Sequence, residues 1–585
     1  MINHELSKIF NEIAAFLDVR RVSFKPFAYR RAARALDGLG EDVAAIYQAG
    51  GLKALEEIPG VGESIAQKIE EYIKKGKIGY YDELKRQLPV DLAQITSIQG
   101  IGPRRAEFLY RELGIANIVD LESAARSHKI AGLAGFGDQS EKNILQGIDF
   151  KKHSQGRFLL GQMLPLAKEI KAKLEALAEI ERVDIVGSLA RRRETIGDVD
   201  FLAIARPEAG KAGVARVMDF FTEIPGVEKI WGKGGTKASV HMEDGFDMDL
   251  RVLPPESYGA ARQYFTGSKD HNIAVRRLAI DKGLKLSEYG LFRGKKMIAG
   301  AQEEEIYNKL GMDWIAPEMR ENTGEIEAAQ AHRLPKIIEY GSLRGDLHCH
   351  TDYSDGQNTL EEMARAALKM GYEYIGISDH TRLLRIARGL SEEQFAKRNR
   401  EIDKLNILLQ KEEGGLKILK GCEANIAIDG SIDLPDSFLA QLDYVIAGVH
   451  SNFKAEGGKM TAAVIRAMEN PNVDIISHPT GRKLQERAGY RIDMEKIFAA
   501  AKRTGTILEI NSQPARLDLD CDNIRRVKDY GVKMIINTDA HHADHLRYAE
   551  FGIAQARRGW AKASDIINTQ PWESVRALLK KQSDS

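Results

Sequence analysis

The feature that most constrains the fold is a series of short apolar runs in the C-terminal half of the chain. Five of them cover residues 374–378, 444–448, 473–477, 506–510 and 533–537. Apolar runs of this length, separated by helical stretches, are typical of buried parallel strands. We therefore predict a parallel α/β barrel or open sheet beyond Arg344.

Side chains that bind metals stand at the ends of these runs. His348 and His350 alternate on one strand, so both point to the same side of it. In barrels, functional groups gather at the C-terminal rim of the strands, which brings residues that are distant in sequence together. The predicted ligands are His348, His350, Asp355, His380, Glu423, His450, His478, Asp539 and His541.

Histidine mixed with carboxylate suits Zn²⁺, Mn²⁺ or Fe²⁺ better than Ca²⁺. Nine ligands are enough for three ions, with Glu423 bridging two, and such ions can activate water to attack a phosphodiester. The alternative, ordinary core or surface histidines, is disfavoured because six histidines and three acids share this placement. Arg482, soon after His478, is a candidate to neutralise a substrate phosphate.

Three aspartates in the middle of the chain predict a second metal site. Asp198 and Asp200 alternate on one strand, and Asp249 stands on another, with Asp247 as the fallback for it. Neighbouring carboxylates repel, and a divalent cation relieves the repulsion. Three such acids can hold two Mg²⁺ or Mn²⁺ ions for nucleotidyl transfer. The alternative is a solvated strand edge.

Glycines and an arginine near these acids predict a site for a nucleoside triphosphate. Gly187 and Ser188 allow the backbone to approach phosphate oxygens, and Arg191 adds positive charge there. Gly197 directly precedes Asp198, and Gly-Ser followed by Gly-Asp-x-Asp is a nucleotidyltransferase signature.

The N-terminal region repeats a Gly-hydrophobic-Gly pattern between helices. Its first two copies contain Gly60 with Gly62 and Gly100 with Gly102, and a third lies at residues 135–137. Such turns aim backbone N–H groups at phosphate, so we predict helix-hairpin-helix motifs that grip DNA without reading its sequence. Arg104 and Arg105 support this role for the second copy. The alternative is a set of tight turns, and the third copy, without a flanking base, can be structural only.

Composition sets the remaining limits. The 585 residues suggest three to five domains at roughly 100–200 residues each. Lysine plus arginine equals aspartate plus glutamate at 85 each, which argues against a polyelectrolyte but not against a local basic groove. No apolar run approaches the roughly 18 residues of a membrane helix, and no signal peptide is evident. Three cysteines fit a reducing, cytoplasmic setting.

The first 320 residues or so resemble family X DNA polymerases. Residues 25–68 look like the small lyase domain of DNA polymerase beta, with Lys25, Tyr29 and Lys68 at matching positions. The resemblance implies DNA contacts from Lys25 and Tyr29, and it makes Lys68 a candidate Schiff-base lysine. A simple phosphate contact is the alternative for Lys68, because Ser64 stands where the relative carries another lysine.

The string Tyr264-Phe265-Thr266-Gly267-Ser268 looks like the family X segment that packs on the incoming sugar. The resemblance implies nucleotide contacts from Tyr264, Phe265, Gly267 and Asn272, and DNA contacts from Arg251 and Arg276. It favours Asp249 over Asp247 as the third catalytic acid because Asp249 matches the family's Asp-x-Arg. Lys269 departs from the family pattern, which puts affinity and fidelity in doubt rather than chemistry.

Residues from about 340 to 570 resemble the polymerase and histidinol phosphatase (PHP) domain, and every ligand position of that family is filled. A family X core followed by a PHP domain is the organisation of bacterial and archaeal family X DNA polymerases. It implies gap filling in base-excision repair and a metal-dependent 3′–5′ exonuclease. The rivals are a phosphoesterase with a DNA-targeting N-terminal half and a non-enzymatic repair scaffold.

The predicted fold is a helical helix-hairpin-helix region, a polymerase-beta-like nucleotidyltransferase core and a C-terminal distorted (β/α) barrel of PHP type. We expect a monomer that uses gapped or primed DNA and dNTPs, with Mg²⁺ or Mn²⁺ at the aspartates and up to three Mn²⁺ or Zn²⁺ ions in the barrel. The expected domains are 1–90 (lyase-like), 91–155 (fingers), 156–255 (palm), 256–318 (thumb), 319–342 (linker) and 343–585 (PHP).

Overall fold

In the computed structural model the chain is described over residues 2–39, 42–58, 60–96, 98, 101–154, 156–409 and 415–580. The N-terminal region is helical. Its helices are α1 (Ile2–Val19), α2 (Lys25–Gly38), α3 (Val43–Glu56), α4 (Glu63–Lys75), α5 (Gly79–Gln87), α6 (Leu92–Thr96), α7 (Pro103–Leu113), α8 (Ile118–Arg126) and α9 (Asp138–Ser154). Their apolar faces share one hydrophobic core.

Helices α4 and α7 begin and end in the same way. Each starts directly after a Gly-x-Gly turn, with Gly62 or Gly102 at the cap and no side chain bound to the first N–H groups. Each ends at a glycine in the left-handed conformation, Gly76 or Gly114, as is common for helix ends. The described parts of the first two predicted motifs therefore place free helix N-termini next to glycine.

The predicted palm contains a five-stranded mixed sheet with helices packed on it. Its strands, in spatial order, are β2 (Ile180–Ile185), β4 (Asp198–Ala205), β7 (Asp247–Leu253), β6 (Lys237–Met242) and β5 (Val227–Lys233). Strands β4 and β7, which carry the aspartates, are adjacent and parallel. The elements are β1 (Phe158–Leu159), α10 (Leu160–Glu175), β2 (Ile180–Ile185), α11 (Gly187–Ala190), β3 (Thr195–Ile196), β4 (Asp198–Ala205), α12 (Gly210–Thr222), β5 (Val227–Lys233), β6 (Lys237–Met242) and β7 (Asp247–Leu253).

The thumb packs helices on a three-stranded antiparallel sheet around a core of its own. The elements are α13 (Tyr258–Thr266), α14 (Lys269–Asp281), β8 (Lys285–Ser287), β9 (Gly290–Arg293), β10 (Lys296–Ala299), α15 (Glu303–Lys309) and α16 (Glu325–Gln330). Helix α16 lies within the predicted linker, and its Ile326 and Ala329 pack into the thumb core. That part of the segment is therefore packed structure rather than a free tether.

The C-terminal region confirms the predicted distorted barrel. Parallel strands form a sheet of three (β11-β12-β13) and a sheet of five (β14 to β18), and the bridges Cys349–Ala540 and His380–Glu423 join their edges. The elements are β11 (Gly345–Cys349), α17 (Leu360–Lys369), β12 (Tyr374–Ile377), α18 (Glu392–Leu409), β13 (Lys417–Lys420), β14 (Glu423–Asn425), α19 (Asp436–Leu439), β15 (Ile446–Gly448), α20 (Gly457–Glu469), β16 (Ile475–Ile476), α21 (Met494–Thr504), β17 (Ile507–Asn511), α22 (Cys521–Asp529), β18 (Met534–Asn537), α23 (Ala549–Arg558) and α24 (Trp572–Arg576).

The barrel is docked against the palm and the thumb. Leu517 and Phe551 of the barrel belong to the hydrophobic core of the palm. Arg557 and Arg558, at the end of α23, reach the thumb, where Arg557 pairs with Glu318 at 2.8 Å. Among the described helices, none is long and apolar enough to cross a membrane.

A buried ion pair organises the thumb. Arg320 and Glu303 are both buried, and Arg320 Nη1 lies 2.5 Å from Glu303 Oε1. Glu303 Oε2 also accepts a hydrogen bond from Trp314 Nε1 at 2.8 Å, and the Arg320 carbonyl accepts one from Ser268 N at 3.0 Å. This network connects the thumb core to the Tyr264–Ser268 segment.

We predict that Glu303→Ala destabilises the thumb by about 3–5 kcal/mol, because it leaves the Arg320 guanidinium buried without its carboxylate. Chemical denaturation followed by tryptophan fluorescence measures the change, and Trp314 is the local reporter. Glu304→Ala, at an exposed position on the same helix, is the matched control. Equal stability of the two variants would contradict the assigned role of the pair.

Candidate active sites

The barrel brings all nine predicted ligands to one rim. His348 lies on β11, His350 directly follows the end of that strand, and Glu423 begins β14. The other ligands follow strands directly or lie in the loops after them, because the C-terminal ends of parallel strands meet at the same edge. His478 and Asp539 have φ angles of 44° and 53°, a left-handed backbone that is uncommon outside glycine and is often found at functional sites.

Glu423 is the centre of this cluster. Its Oε1 lies 3.0 Å from His478 Nε2 and 3.2 Å from His450 Nε2. Its Oε2 lies 3.1 Å from His380 Nδ1 and 3.3 Å from His348 Nε2. The two oxygens thus face separate sets of imidazoles, as the predicted bridging role requires.

The other two acids of the cluster, Asp355 and Asp539, lie close to further imidazole nitrogens. Asp355 Oδ1 lies 3.4 Å from His541 Nε2 and 3.8 Å from His380 Nε2. Asp539 Oδ1 lies 3.3 Å from His350 Nε2. Every predicted ligand is therefore adjacent to another one.

The donor atoms form three sets that fit metal ions. Within each set the atoms lie within 4.8 Å of one another, and His478 is the predicted ligand outside all three sets. The sets are His350, Asp355, His380 and His541; His348, His350 and Asp539; and His380, Glu423 and His450.

Several buried atoms in the cluster need such ions. Within the described ranges, they have no hydrogen-bond partner, although buried polar atoms are almost always paired. The atoms are His348 Nε2, His350 Nδ1 and Nε2, Asp355 Oδ1, His380 Nδ1, His450 Nδ1 and His478 Nδ1.

Burial and neighbouring charges shift the pKa values of the ionisable groups in the cluster. Burial alone would raise the pKa of Glu423, but the imidazoles of His348, His450 and His380 outweigh it and hold that pKa well below its usual value. Burial lowers the pKa of His380 to about 3, so this imidazole is neutral and available as a ligand at neutral pH.

Glu509, on β17, positions one of the ligands, and the sequence analysis missed it. Its Oε1 lies 2.6 Å from His348 Nδ1, and its Oε2 accepts a hydrogen bond from His478 N at 2.9 Å. A carboxylate behind a ligating imidazole fixes the tautomer and ring orientation. Glu509 is fully buried inside an apolar run, and this unusual placement of an acid was the available signal.

Two arginines near the cluster have different roles. Arg516 Nε lies 3.5 Å from Asp539 Oδ2, so its guanidinium adjoins the ligands. Arg482, predicted to face a substrate phosphate, instead pairs with Glu194 of the palm at 2.6 Å and donates to the carbonyl of Arg516. Arg482 therefore joins two domains.

The palm places its three aspartates side by side. Asp200 is the register partner of Asp249, and Asp198 that of Asp247. Burial, together with Asp198 and Asp249, raises the pKa of Asp200 to about 7. This is the repulsion that a divalent cation would relieve.

A lysine occupies part of this acidic site. Lys237 Nζ, on β6, lies 2.7 Å from Asp249 Oδ2. Asp247 Oδ1 lies 2.9 Å from Trp231 Nε1 and 2.6 Å from His241 Nδ1. Both acids of β7 therefore have partners, and the choice of Asp249 as the third acid stays a prediction. Over the described ranges, sets of three or more potential ligands within 4.8 Å of one another occur only in the barrel, so the aspartates are not drawn into such a set.

The predicted phosphate turn lies directly against the acids. A Cβ atom at Gly187 would stand 2.1 Å from Asp200 Oδ2, so only glycine fits. Ser188 Oγ is buried and, among the described residues, has no hydrogen-bond partner. Gly197 borders Arg157, whose Nη1 would lie 3.4 Å from a Cβ atom there.

Arg191 is engaged with the thumb. Its Nε donates to Glu321 Oε1 at 3.2 Å, and its Nη1 donates to the Thr266 carbonyl. A Cβ atom at Gly267 would stand 3.0 Å from Arg191 Nη1, which keeps that position small. Arg191 therefore braces the Tyr264–Ser268 segment, and its predicted phosphate contact stays a prediction.

The segment predicted to pack on the incoming sugar, Tyr264–Ser268, is held by aromatic and polar contacts. The rings of Tyr264 and Phe265 meet edge to face at 5.1 Å. The guanidinium of Arg276 lies 5.7 Å from the Tyr264 ring, and that of Arg251 lies 5.4 Å from the Phe265 ring. Asn272 Nδ2 donates to the Tyr264 carbonyl at 2.6 Å. Contacts of these kinds connect all five residues into one group.

The lyase-like region brings Lys68 next to Tyr29. Lys68 Nζ lies 5.9 Å from the ring centre of Tyr29 and 3.0 Å from the Ser64 carbonyl oxygen, to which it donates. Burial and the charge of Lys25 lower the pKa of Lys68, while Glu71 opposes them. A lowered pKa is what an amine nucleophile needs.

The glycines of the helix-hairpin-helix motifs differ in how closely other atoms pack against them. A Cβ atom at Gly60 would stand 2.7 Å from Arg31 Cγ, whereas Gly62 and Gly102 have open space beside them. Arg104 and Arg105 are exposed at the start of α7. Gly100 lies outside the described residues.

Comparison with known proteins matches four family models along the chain. They are a helix-hairpin-helix domain at residues 1–78, a SAM-like helix-hairpin-helix tandem at 92–149, a DNA polymerase beta thumb at 261–321 and a PHP domain at 346–513.

One curated relative spans the whole chain. It is the DNA polymerase/3′-5′ exonuclease PolX of Bacillus subtilis (strain 168), 35% identical over 587 residues, which cover 99% of this chain and 100% of that protein. A probable phosphatase of Thermoanaerobacter sp. (strain X514) is 37% identical over 248 residues, 40% of this chain and 95% of that protein.

A solved structure, that of Leishmania infantum polymerase beta in a ternary P/T complex, is 23% identical over 39% of this chain and 97% of that one. Its TM-score is 0.26, which supports no conclusion about this chain.

We predict that Glu509→Gln weakens Mn²⁺ binding to the barrel by about 10- to 100-fold, because an amide cannot hold the His348 imidazole as the carboxylate does. Titration of the metal-free protein with Mn²⁺ measures the affinity. Glu495→Gln, at an exposed glutamate on α21, is the control and should leave Mn²⁺ affinity unchanged. Wild-type affinity in Glu509→Gln would rule out this role.

Proposed function

The chain belongs to the family X DNA polymerases that carry a C-terminal PHP domain, and on that premise we propose that it extends DNA at the palm and trims 3′ ends at the barrel. The observation that carries the proposal is the presence of two separate acidic or histidine-rich sites in a chain similar over its full length to a DNA polymerase/3′-5′ exonuclease. The adjacent strands β4 and β7 support the first activity.

In the palm, we assign the catalytic role to Asp198, Asp200 and Asp249. Mg²⁺ or Mn²⁺ held there would supply charge stabilisation for the attacking 3′-hydroxyl and the leaving pyrophosphate. The backbone at Gly187 and Ser188 would receive the triphosphate, and Tyr264 with Phe265 would pack on the sugar. Lys237, which pairs with Asp249 Oδ2, would compete with a cation for that oxygen.

In the barrel, we assign metal binding to the nine predicted ligands and phosphodiester hydrolysis to the site that they form. Mn²⁺ or Zn²⁺ held there would supply an activated water. Arg516 lies beside Asp539 and would counter the charge of the scissile phosphate. The similarity of this region to a probable phosphatase supports phosphoester chemistry.

The biological role that fits both sites is short-gap filling in base-excision repair. The hairpins around Gly62 and Gly102 would hold the gapped duplex, and dNTPs would enter at the palm. Lyase chemistry at Lys68 is an additional proposal, supported by its lowered pKa. The three free cysteines are compatible with a cytoplasmic setting. A phosphoesterase that only targets DNA is the alternative.

We predict that the two activities separate by mutation. Asp198→Ala with Asp200→Ala should reduce primer extension at least 100-fold, because the cation site is lost, while 3′ trimming persists. His348→Ala should do the opposite, because it disrupts a ligand set of the barrel. Primer extension and digestion of a labelled gapped duplex measure both activities.

Each variant is the control for the other, because the same preparation is tested in both assays. Extension that survives loss of the two aspartates would refute the polymerase assignment and leave the phosphoesterase alternative. Trimming that survives in His348→Ala would exclude the barrel as the nuclease.

We predict that the Mg²⁺ concentration for half-maximal extension falls as pH rises from 6 to 8. Asp200 has a raised pKa of about 7, so below that pH a proton occupies a carboxylate that the cation needs, and above it the carboxylate is free. Titrations with Mg²⁺ at several pH values measure the trend. The same half-maximal concentration at pH 6 and pH 8 would contradict it.

A further inference from the structure

A cleft separates the second helix-hairpin-helix motif from the barrel. Its volume is about 850 Å³. One wall carries Arg104 and Arg105 at the start of α7, and the other carries Lys483 and Arg487 of a barrel loop. These residues are remote from the aspartates in sequence, and the catalytic proposals leave the loop without a role.

The barrel loop is a tight hairpin held in place from several sides. Lys483 N donates to the Arg487 carbonyl at 2.9 Å, and Arg487 N donates to the Lys483 carbonyl at 2.8 Å. Leu484 N donates to the Ala515 carbonyl at 2.7 Å, and Gln485 Nε2 donates to the Arg157 carbonyl of the palm at 2.6 Å. The hairpin is therefore a fixed element, and its basic side chains have defined positions.

The walls of the cleft are positively charged. Of its two acids, Asp18 pairs with Arg30, and Glu486 lies 3.5 Å from Lys483 and partly offsets the charge of that lysine. The excess of positive charge therefore comes mainly from the three arginines that line the cleft, Arg104, Arg105 and Arg487. The guanidinium of Arg105 lies 5.2 Å from the Phe136 ring centre, and that of Arg487 lies 3.9 Å from the Phe453 ring centre. Stacking on an aromatic face orients a guanidinium while leaving its edge able to donate to phosphate.

The basic surface continues to the metal ligands of the barrel. Lys483 is five positions after the ligand His478. Burial and the charge of Arg516 lower the pKa of Arg487, and the Leu484 N–H of the same hairpin donates to the carbonyl of Ala515, which directly precedes Arg516. Arg516 Nε in turn lies 3.5 Å from Asp539 Oδ2. Cationic groups thus extend from the hairpin motif to the edge of the ligand cluster.

We propose that this cleft binds the backbone phosphates of a single DNA strand whose 3′ end reaches the barrel site. The inference rests on the proposed 3′-trimming function and adds the route that the strand takes. The volume of about 850 Å³ accommodates a few nucleotides of one strand. A positively charged groove that follows the backbone is the usual means of binding single strands without sequence preference.

Salt dependence of binding tests the proposal. The probe is a fluorescein-labelled oligothymidine of about 12 nucleotides, within the span of one single-strand site. Phosphorothioate linkages in the probe limit digestion, so fluorescence anisotropy with the metal-loaded protein gives Kd at several salt concentrations. For single strands each phosphate contact contributes about 0.7 to the slope of log K against log salt, so Lys483→Gln/Arg487→Gln should lower the slope by about 1.4.

Three further variants keep the result interpretable. Lys483→Gln alone should lower the slope by about 0.7 and does not disturb the Arg487 contact with Phe453. Arg487→Lys keeps the positive charge, so its slope of log K against log salt should stay close to that of the wild type. Lys369→Gln removes an exposed lysine at the end of α17, outside the cleft, and should bind as the wild type does.

Unchanged Kd and slope in both Lys483→Gln and the double variant would overturn the proposal. Trimming of a 3′-labelled strand by the wild-type protein is measured separately. If the wild type trims and the slope does not change, the cleft proposal fails and the proposed function stands. If the slope falls as expected and the wild type does not trim, the cleft binds single strands and the proposed function fails.

Discussion

The barrel site is governed by one physical requirement: buried polar atoms must have hydrogen-bond or metal partners. Its rim places imidazole nitrogens and carboxylate oxygens in a water-poor space, and Glu423 lies between imidazoles that approach it from several strands. An apolar barrel could not leave so many donor atoms unsatisfied without a large penalty in folding free energy. Bound cations would satisfy these atoms and so stabilise the arrangement.

Charged contacts also hold the two active sites in one assembly. Arg482 crosses from the barrel to Glu194 of the palm, and Arg558 pairs with Glu321, the same residue that engages Arg191. Glu321 therefore connects the thumb, the palm and the barrel. Because such pairs are partly buried, salt screens them less than it screens surface ion pairs. The distance between the place of synthesis and the place of trimming is thus set by docking.

The sequence was sufficient for much of this picture. The convergence of the nine predicted ligands could be anticipated because most of them follow a recognisable apolar strand or lie in its loop. The family resemblance placed the helical region, core and barrel in the right order. Partners from distant segments could not be predicted. Lys237 meets Asp249 only through the pairing of β6 with β7, Arg191 meets Glu321 across 130 positions, and Glu509 is hidden within an apolar run. Local patterns carry no information about such pairings.

The contact of Arg558 has an evolutionary consequence. Its Nη1 donates to the Arg191 carbonyl at 2.8 Å and lies 3.2 Å from Glu321 Oε1. Arg191 in turn supports the Tyr264–Ser268 segment. A lineage that discarded the barrel would also lose this brace, and the remaining half would need compensating substitutions around residue 191. The support of the Tyr264–Ser268 segment therefore depends in part on a residue of the barrel.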